Sequence, residues 1–232
     1  MTIDPALLEH LRAFDTPTIC NALEIVAPER RGHGYSVRPF VCPFPDLRPI
    51  CGFARTATIR ARLPAALPAA EAKAQRLRYY EYVAAGPRPT VVVIQDLDDQ
   101  PGYGAFWGEV NTAIHRGLGC LGCVTNGSIR DLGAIDPEFQ LLAGSIGPSH
   151  AFVHVEAFGI AVDVHGMLVH HGDIVHADRH GAVVIPEAAL PRLPEAIELC
   201  IRREAPILAA ARSPDFSIAK LREAMAAAEE IH

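Results

Sequence analysis

The chain has almost no lysine. All of its basic residues are arginines except Lys73 and Lys220. A lysine that forms a Schiff base has to be desolvated beside a catalytic group. Lys73 stands among Glu71, Gln75 and Arg76, and Lys220 lies in the C-terminal tail, so chemistry through a lysine imine is excluded. No apolar run reaches the roughly 18–20 residues that span a bilayer, which excludes a membrane helix. There is no run of basic charge either. With 27 acidic against 21 basic residues, the chain has no footprint for a phosphate backbone, and no nucleic-acid partner is expected. Cys120-Leu121-Gly122-Cys123 has no second C-x-x-C to complete a zinc site. Its two cysteines read as small residues of a buried strand that point to opposite faces. The start, Met1-Thr2-Ile3-Asp4-Pro5, lacks the basic and apolar regions of a secretory signal. Together with six dispersed cysteines, this sets a cytoplasmic location as the expectation.

What the sequence does hold is apolar and patterned. Half of its 232 residues are hydrophobic and the net charge is only −6, which suits a packed core and excludes disorder. Leu7, Leu8, Leu11 and Phe14 recur at helical spacing, and a second helix follows Asp15-Thr16-Pro17. Prolines and glycines mark residues 28–50 as irregular chain. Residues 52–60 alternate apolar and polar as a strand does. A helix is predicted over 69–84, a buried strand over Thr90–Asp96, and an acidic loop over 97–104. A further helix runs from Glu109 to Arg116, and a strand from Cys120 to Thr125. Residues 151–163 and 167–185 read as strands joined by tight turns, and the tail is helical with a break at Ser213-Pro214. Strand and helix alternate in the middle, so the class is α/β with a sheet that is not purely parallel. The expected organisation is a single domain over 1–190 with a C-terminal helical extension over 191–232.

The chemistry concentrates in two short segments. Gly108-Glu109-Val110-Asn111 opens a helix, where free backbone N–H groups and the helix dipole favour an anion. Asn126-Gly127-Ser128-Ile129-Arg130-Asp131 follows a buried strand, where a loop presents side chains at the sheet's carboxyl edge. Arg130 offers a planar fork for a carboxylate or an enolate oxygen. Asp131 is a hard oxygen ligand suited to Mg²⁺ or Mn²⁺. Glu109 suits a base, a metal ligand or a group that positions water. By spacing alone the same residues also suit a surface ion pair and a favourable first-turn acid.

Glu109, twenty intervening residues and then Arg130-Asp131 resemble the acidic-X20-Arg-Asp signature of a family of class II pyruvate aldolases. These are the 4-hydroxy-4-methyl-2-oxoglutarate / 4-carboxy-4-hydroxy-2-oxoadipate aldolases, whose family also includes the RraA proteins, inhibitors of ribonuclease E. Ala105–Glu109, Gly119–Asp131, His171–Asp178 and Gly181–Pro186 carry the likeness, which extends over about residues 15–210. The resemblance implies a swivelling β/β/α-type fold in homotrimers or homohexamers, with sites between subunits. It implies that Arg130 contacts the pyruvoyl group and steadies its enolate. Asp131 would hold the divalent ion, largely with waters. The backbone at Gly108, Glu109, Val110 and Asn111 would bind the carboxylate of a small oxo-acid. The best-known aldolases have Asp where this chain has Glu109. RraA regulators can lack the acid after the arginine, whereas Asp131 is retained here.

The expectation is therefore metal-dependent cleavage of a 4-hydroxy-2-oxo acid to pyruvate, with oxaloacetate decarboxylation through the same enolate. The alternatives are a non-catalytic regulator that binds a ribonuclease, and a metal enzyme acting on another oxo- or hydroxy-acid. His165, His170, His171, His176 and His180 crowd one stretch without zinc-ligand spacing and read as structural or exposed. His154 and Glu156 share one face of a strand. Glu204, on the C-terminal helix, is a candidate for a neighbouring subunit's metal shell, or simply part of a solvated face.

Overall fold

The computed structural model describes residues 3–232. Its elements run α1 (Pro5–Leu11), α2 (Thr16–Val26), β1 (Ile50–Arg60), α3 (Ala69–Ala84), β2 (Thr90–Asp96), β3 (Ala105–Trp107) and α4 (Glu109–Gly117). There follow β4 (Cys120–Thr125), β5 (Ser128–Ile129), β6 (Gln140–Leu142), β7 (Ser145–Ile146), β8 (His154–Phe158), β9 (Val162–Val164) and β10 (Met167–Val169). The chain ends with β11 (Ile174–Asp178), β12 (Gly181–Ile185), α5 (Leu193–Ala211) and α6 (Ile218–Glu229). The class is mixed α/β. No helix among the described residues is long and apolar enough to cross a membrane.

Two compact units make up the chain. One takes in the chain up to Thr16 together with His33–Glu187; the other comprises Pro17–Gly32 and Ala188–His232. The C-terminal helices thus share their unit with most of α2.

The first unit is built on a 7-stranded mixed sheet in the order β12-β11-β1-β2-β4-β6, with β8 also paired to β1. β1 is its axis. It runs parallel to β2 along one edge, while its other edge pairs antiparallel with β11 at Ile50–Phe53 and with β8 at Ala57–Arg60. Alternation over residues 52–60 is the pattern of a half-buried strand. Instead every residue of β1 but Arg60 is buried, because both faces of the sheet are covered. Val92 and Ile94 of β2 pack on one face with Tyr79 and Val83 of α3. Val91 and Val93 pack on the other with the β9–β10 hairpin, through Val162, Val164, Met167 and Val169.

Among the polar residues of β1, the buried hydroxyls of Thr56 and Thr58 have no hydrogen-bond partner among the described residues, whereas Arg55 finds partners inside. Arg55, only 2% exposed, donates to the carbonyls of Ala85 at 2.6 Å and Pro87 at 3.2 Å. Burial draws its pKa below the usual value.

β4 holds a second departure. Thr90 pairs with Cys120 and Val91 with Gly122, leaving Leu121 as an extra residue. This bulge breaks the two-residue period. Cys120 and Cys123 therefore enter the same core cluster rather than opposite faces, and Leu121 packs against the other. Burial raises both thiol pKa values, as expected of core residues rather than redox thiolates.

A small parallel sheet in the order β3-β5-β7 stands beside the large one. Its strands are two or three residues long, and the sequence showed only loop and turn there. In the second unit, α5 and α6 form a hairpin. Ser217 caps α6 by accepting from Lys220 N–H at 3.3 Å, and Arg203 donates to the carbonyl of Ile231 at 2.8 Å.

Candidate active site

The small sheet explains the twenty-residue spacing. β3 and β5 are parallel neighbours, with Trp107 opposite Ile129, so both chains leave the sheet side by side. The chain after β3 becomes Gly108 and the start of α4; the chain after β5 becomes Arg130 and Asp131. Arg130 N–H donates to the carbonyl of Trp107 at 2.9 Å, which locks the two exits together. α4 and β4 form the crossover between them.

The first backbone hydrogen bond of α4 runs from Thr112 N–H to Gly108 carbonyl, at 3.0 Å. The N–H groups of Glu109, Val110 and Asn111 precede it and have no partner within the helix. Glu109 N–H donates to Asp131 Oδ2 at 3.3 Å, leaving the next two for a ligand. Arg130 Nε lies 3.5 Å from the same carboxylate oxygen. Asp131 adopts φ 58°, a left-handed conformation that Asp tolerates better than most residues. It aims the side chain back at the helix start, and its carbonyl accepts from Ala134 and Ile135 N–H. A Cβ on Gly108 would stand 2.5 Å from Asp131 Oδ2 and 3.2 Å from Arg130 Cγ. Glycine is needed there for that approach, since the backbone is extended at φ −164°.

Arg130 and Asp131 border two cavities. The larger, about 610 Å³, also has Gly108, Val110 and Asn111 in its wall, with apolar surface from Phe106, Ile114 and Phe152. The smaller, about 350 Å³, is completed by Leu132, Ile146, Gly147 and Pro148. Glu109 lies in neither wall. Its side chain is exposed at the first turn of α4, and its backbone is the part that touches Asp131.

Beneath the site lies much of the aromatic content of a chain that is only 6% aromatic. Trp107 and His115 rings are 4.6 Å apart, and Tyr79, Phe106 and Phe139 complete the layer. His115 is fully buried. Its Nδ1 donates to the Asn111 carbonyl at 2.6 Å, and its Nε2 accepts from Tyr79 hydroxyl at 2.8 Å. Burial pushes its pKa down to about 4, so the ring is neutral and both nitrogens are satisfied. The Asn111 side chain accepts from Tyr80 hydroxyl at 2.8 Å and donates to the Phe106 carbonyl at 2.5 Å. It therefore fastens the helix start to α3 and β3, and only its backbone N–H faces a ligand.

Sequence reasoning did not reach the α3 side of the large cavity. Ala72, Arg76 and Tyr80 line it, and their four-residue spacing was the available signal. His150 and His154 line it as well. His154 Nε2 is 2.8 Å from Glu156 Oε1. The histidines of residues 165–180 are placed elsewhere. His176 is buried between Thr16 and Leu11, His171 meets Tyr82 hydroxyl at 2.7 Å, and His180 meets Asp178 at 3.1 Å. His165 stacks on Phe40, and His170 lies 3.5 Å from Asp173. Glu204 lines a groove between α5 and α6 with Arg203, Ile207 and Met225.

The donor set limits what kind of metal fits. Among the described residues, no three His, Cys, Asp or Glu side chains are grouped to hold an ion. Asp131 supplies a single carboxylate at the cavity wall. A hard cation bound by one carboxylate, with water and substrate oxygens for the rest, is an ordinary arrangement for Mg²⁺ and a poor one for Zn²⁺.

Comparison with protein families matches residues 16–184 to the family described as RraA-like, Aldolase/RraA. Comparison with curated proteins found no match. Among solved structures, an uncharacterized protein from Pseudomonas syringae is similar at TM-score 0.73 and 19% identity, covering 98% of this chain and 96% of its own. Streptomyces coelicolor RraAS2, described as an unusual member of the RNase ES inhibitor RraA protein family, is similar at 0.66 and 20%, covering 92% and 99%. The RNA-processing inhibitor RraA from Thermus thermophilis is similar at 0.50 and 19%, covering 71% and 90%. At these identities the likeness shows the fold, and that fold is the mixed α/β arrangement expected from the sequence.

Proposed function

The chain belongs to the RraA-like (Aldolase/RraA) family, and from that premise we propose that it is a divalent-metal-dependent lyase. It would cleave a 4-hydroxy-2-oxo acid to pyruvate and a carbonyl compound, and decarboxylate oxaloacetate at the same site. One observation carries this reading: the open N–H groups of α4, the Arg130 guanidinium and the Asp131 carboxylate meet at one cavity wall.

In the proposed reaction, the substrate's 1-carboxylate accepts from Val110 and Asn111 N–H at the positive end of α4. Arg130 donates to the 2-oxo oxygen. Its fixed charge is most valuable once the C3–C4 bond has broken and the electron pair has moved onto that oxygen. Asp131 would hold Mg²⁺ or Mn²⁺, which when bound supplies Lewis-acid polarisation of the 2-oxo group. The 4-hydroxyl proton leaves as C4 becomes a carbonyl, and C3 gains a proton to give pyruvate. Glu109 is the proposed acceptor of the hydroxyl proton, through a water, since its carboxylate stands outside the cavity wall. With oxaloacetate, CO₂ leaves in place of the carbonyl fragment and the same enolate forms. A homotrimer or homohexamer is the proposed assembly, in a cytoplasmic setting.

The test is pyruvate release from 4-hydroxy-4-methyl-2-oxoglutarate and from oxaloacetate, with Mg²⁺, Mn²⁺ or EDTA. Arg130→Ala should lower turnover on the order of 10²–10³-fold, as loss of an oxyanion donor does. Asp131→Ala and EDTA should each abolish the metal-dependent rate, and Glu109→Gln should lower kcat. No release by folded, metal-supplied protein would overturn the lyase reading and turn attention to ribonuclease binding.

A further inference from the structure

The large cavity is bigger than a pyruvoyl group requires, and its far wall has one unspent cation. Ala72, Arg76 and Tyr80 share a face of α3 and line the cavity. The helix is held there on both sides of Arg76. Gln75 Nε2 donates to the carbonyls of Val155 at 2.8 Å and Glu156 at 3.0 Å, and Tyr79 and Tyr80 hydroxyls reach His115 and Asn111. The other polar side chains of the wall are engaged. Tyr80 and Asn111 bond each other, His154 bonds Glu156, His150 Nδ1 bonds the Ala151 carbonyl, and Arg130 lies beside Asp131. Arg76 makes no ion pair or hydrogen bond among the described residues. Between it and the α4 end the wall is largely apolar, with Phe106, Ile114 and Phe152.

We propose that Arg76 is the specificity-determining residue that receives a second anionic group, at the C4 end of the substrate. This rests on the lyase reading and deepens it: the site selects dianionic over monoanionic oxo-acids. Arg76 is exposed and the surface beside it is apolar, so its planar guanidinium is the group that favours a carboxylate at this open end of the cavity. The group lies away from the bond that breaks, so Arg76 contributes to binding rather than to the chemical step.

The experiment compares 4-hydroxy-4-methyl-2-oxoglutarate with 4-hydroxy-4-methyl-2-oxopentanoate, which has a methyl group in place of the distal carboxylate. Arg76→Gln should lower the ratio of their kcat/KM values about tenfold or more, through KM for the dianion, as expected for one lost charge-assisted hydrogen bond. Arg76→Lys should restore part of the ratio. A ratio unchanged by Arg76→Gln would overturn the proposal. If the wild type cleaves neither compound, the lyase reading fails by itself. Calorimetric binding of 2-oxoglutarate against pyruvate then decides the subsite. A dianion preference lost in Arg76→Gln supports it, and equal preference in both proteins overturns it.

Discussion

Gly108 shows how one missing side chain organises the site. Its hydrogen atom is what lets the Asp131 carboxylate close on the first turn of α4. Gly108→Ala should leave the melting temperature within a few degrees of wild type, because the extended backbone accepts any residue. It should cost about 10²-fold in turnover, since a carboxylate displaced by about 1 Å no longer meets its ligand. A thermal melt and a kinetic assay on the same preparation separate the two effects. At this scale the sequence was informative. Gly108, Val110, Asn111, Arg130 and Asp131 were all visible as candidates, and the structure brings them to one wall. Glu109 offers both a side chain and a backbone N–H to the site; its backbone touches Asp131 and its side chain stands outside the wall. A side chain's role is written in its residue type, but its direction depends on a helix start that spacing alone does not orient.

Elements divide by length. α3, β2, α4 and β4 were legible because each carries several periods of its own pattern. β3 and β5 were not, since strands of two or three residues have no period to read. Yet their pairing joins Glu109 to Arg130, so the reason for the twenty-residue spacing was hidden in the two least legible elements. β1 was legible as a strand but not as a buried one, because Thr56, Thr58 and Arg60 alternate along one face and Arg55 adds a charge to the other. Arg55 is instead a clamp on the carbonyls that follow α3. Arg55→Leu would remove the donors to those partly exposed carbonyls and should destabilise the fold by about 1–2 kcal/mol. Urea denaturation with an unchanged m-value would confirm it; a loss below about 1 kcal/mol would show that water replaces the guanidinium.

Across the molecule, two buried histidines set a response to acid. His115 beneath the site and His176 beside α1 both have pKa values pushed from 6.5 to about 4 by burial. Each is satisfied as a neutral ring, so the unfolded chain binds more protons between those values than the folded one. Stability is therefore full above about pH 6.5 and falls as pH drops toward 4, by on the order of 3 kcal/mol per histidine. Calorimetric melts from pH 7.5 to 4 should show this decline, and His176→Asn should make it shallower. A melting temperature independent of pH over that range would contradict the assignment.

The bulge at Leu121 also gives the protein a built-in clock. It turns Cys120 and Cys123 into one sealed layer, and Cys51 on β1 is equally sealed. A thiol reagent in excess would modify the half-buried Cys20, Cys42 and Cys200 early. The other three would react only as fast as the sheet opens, so the slow phase of colour release times the native state's breathing without any label being introduced.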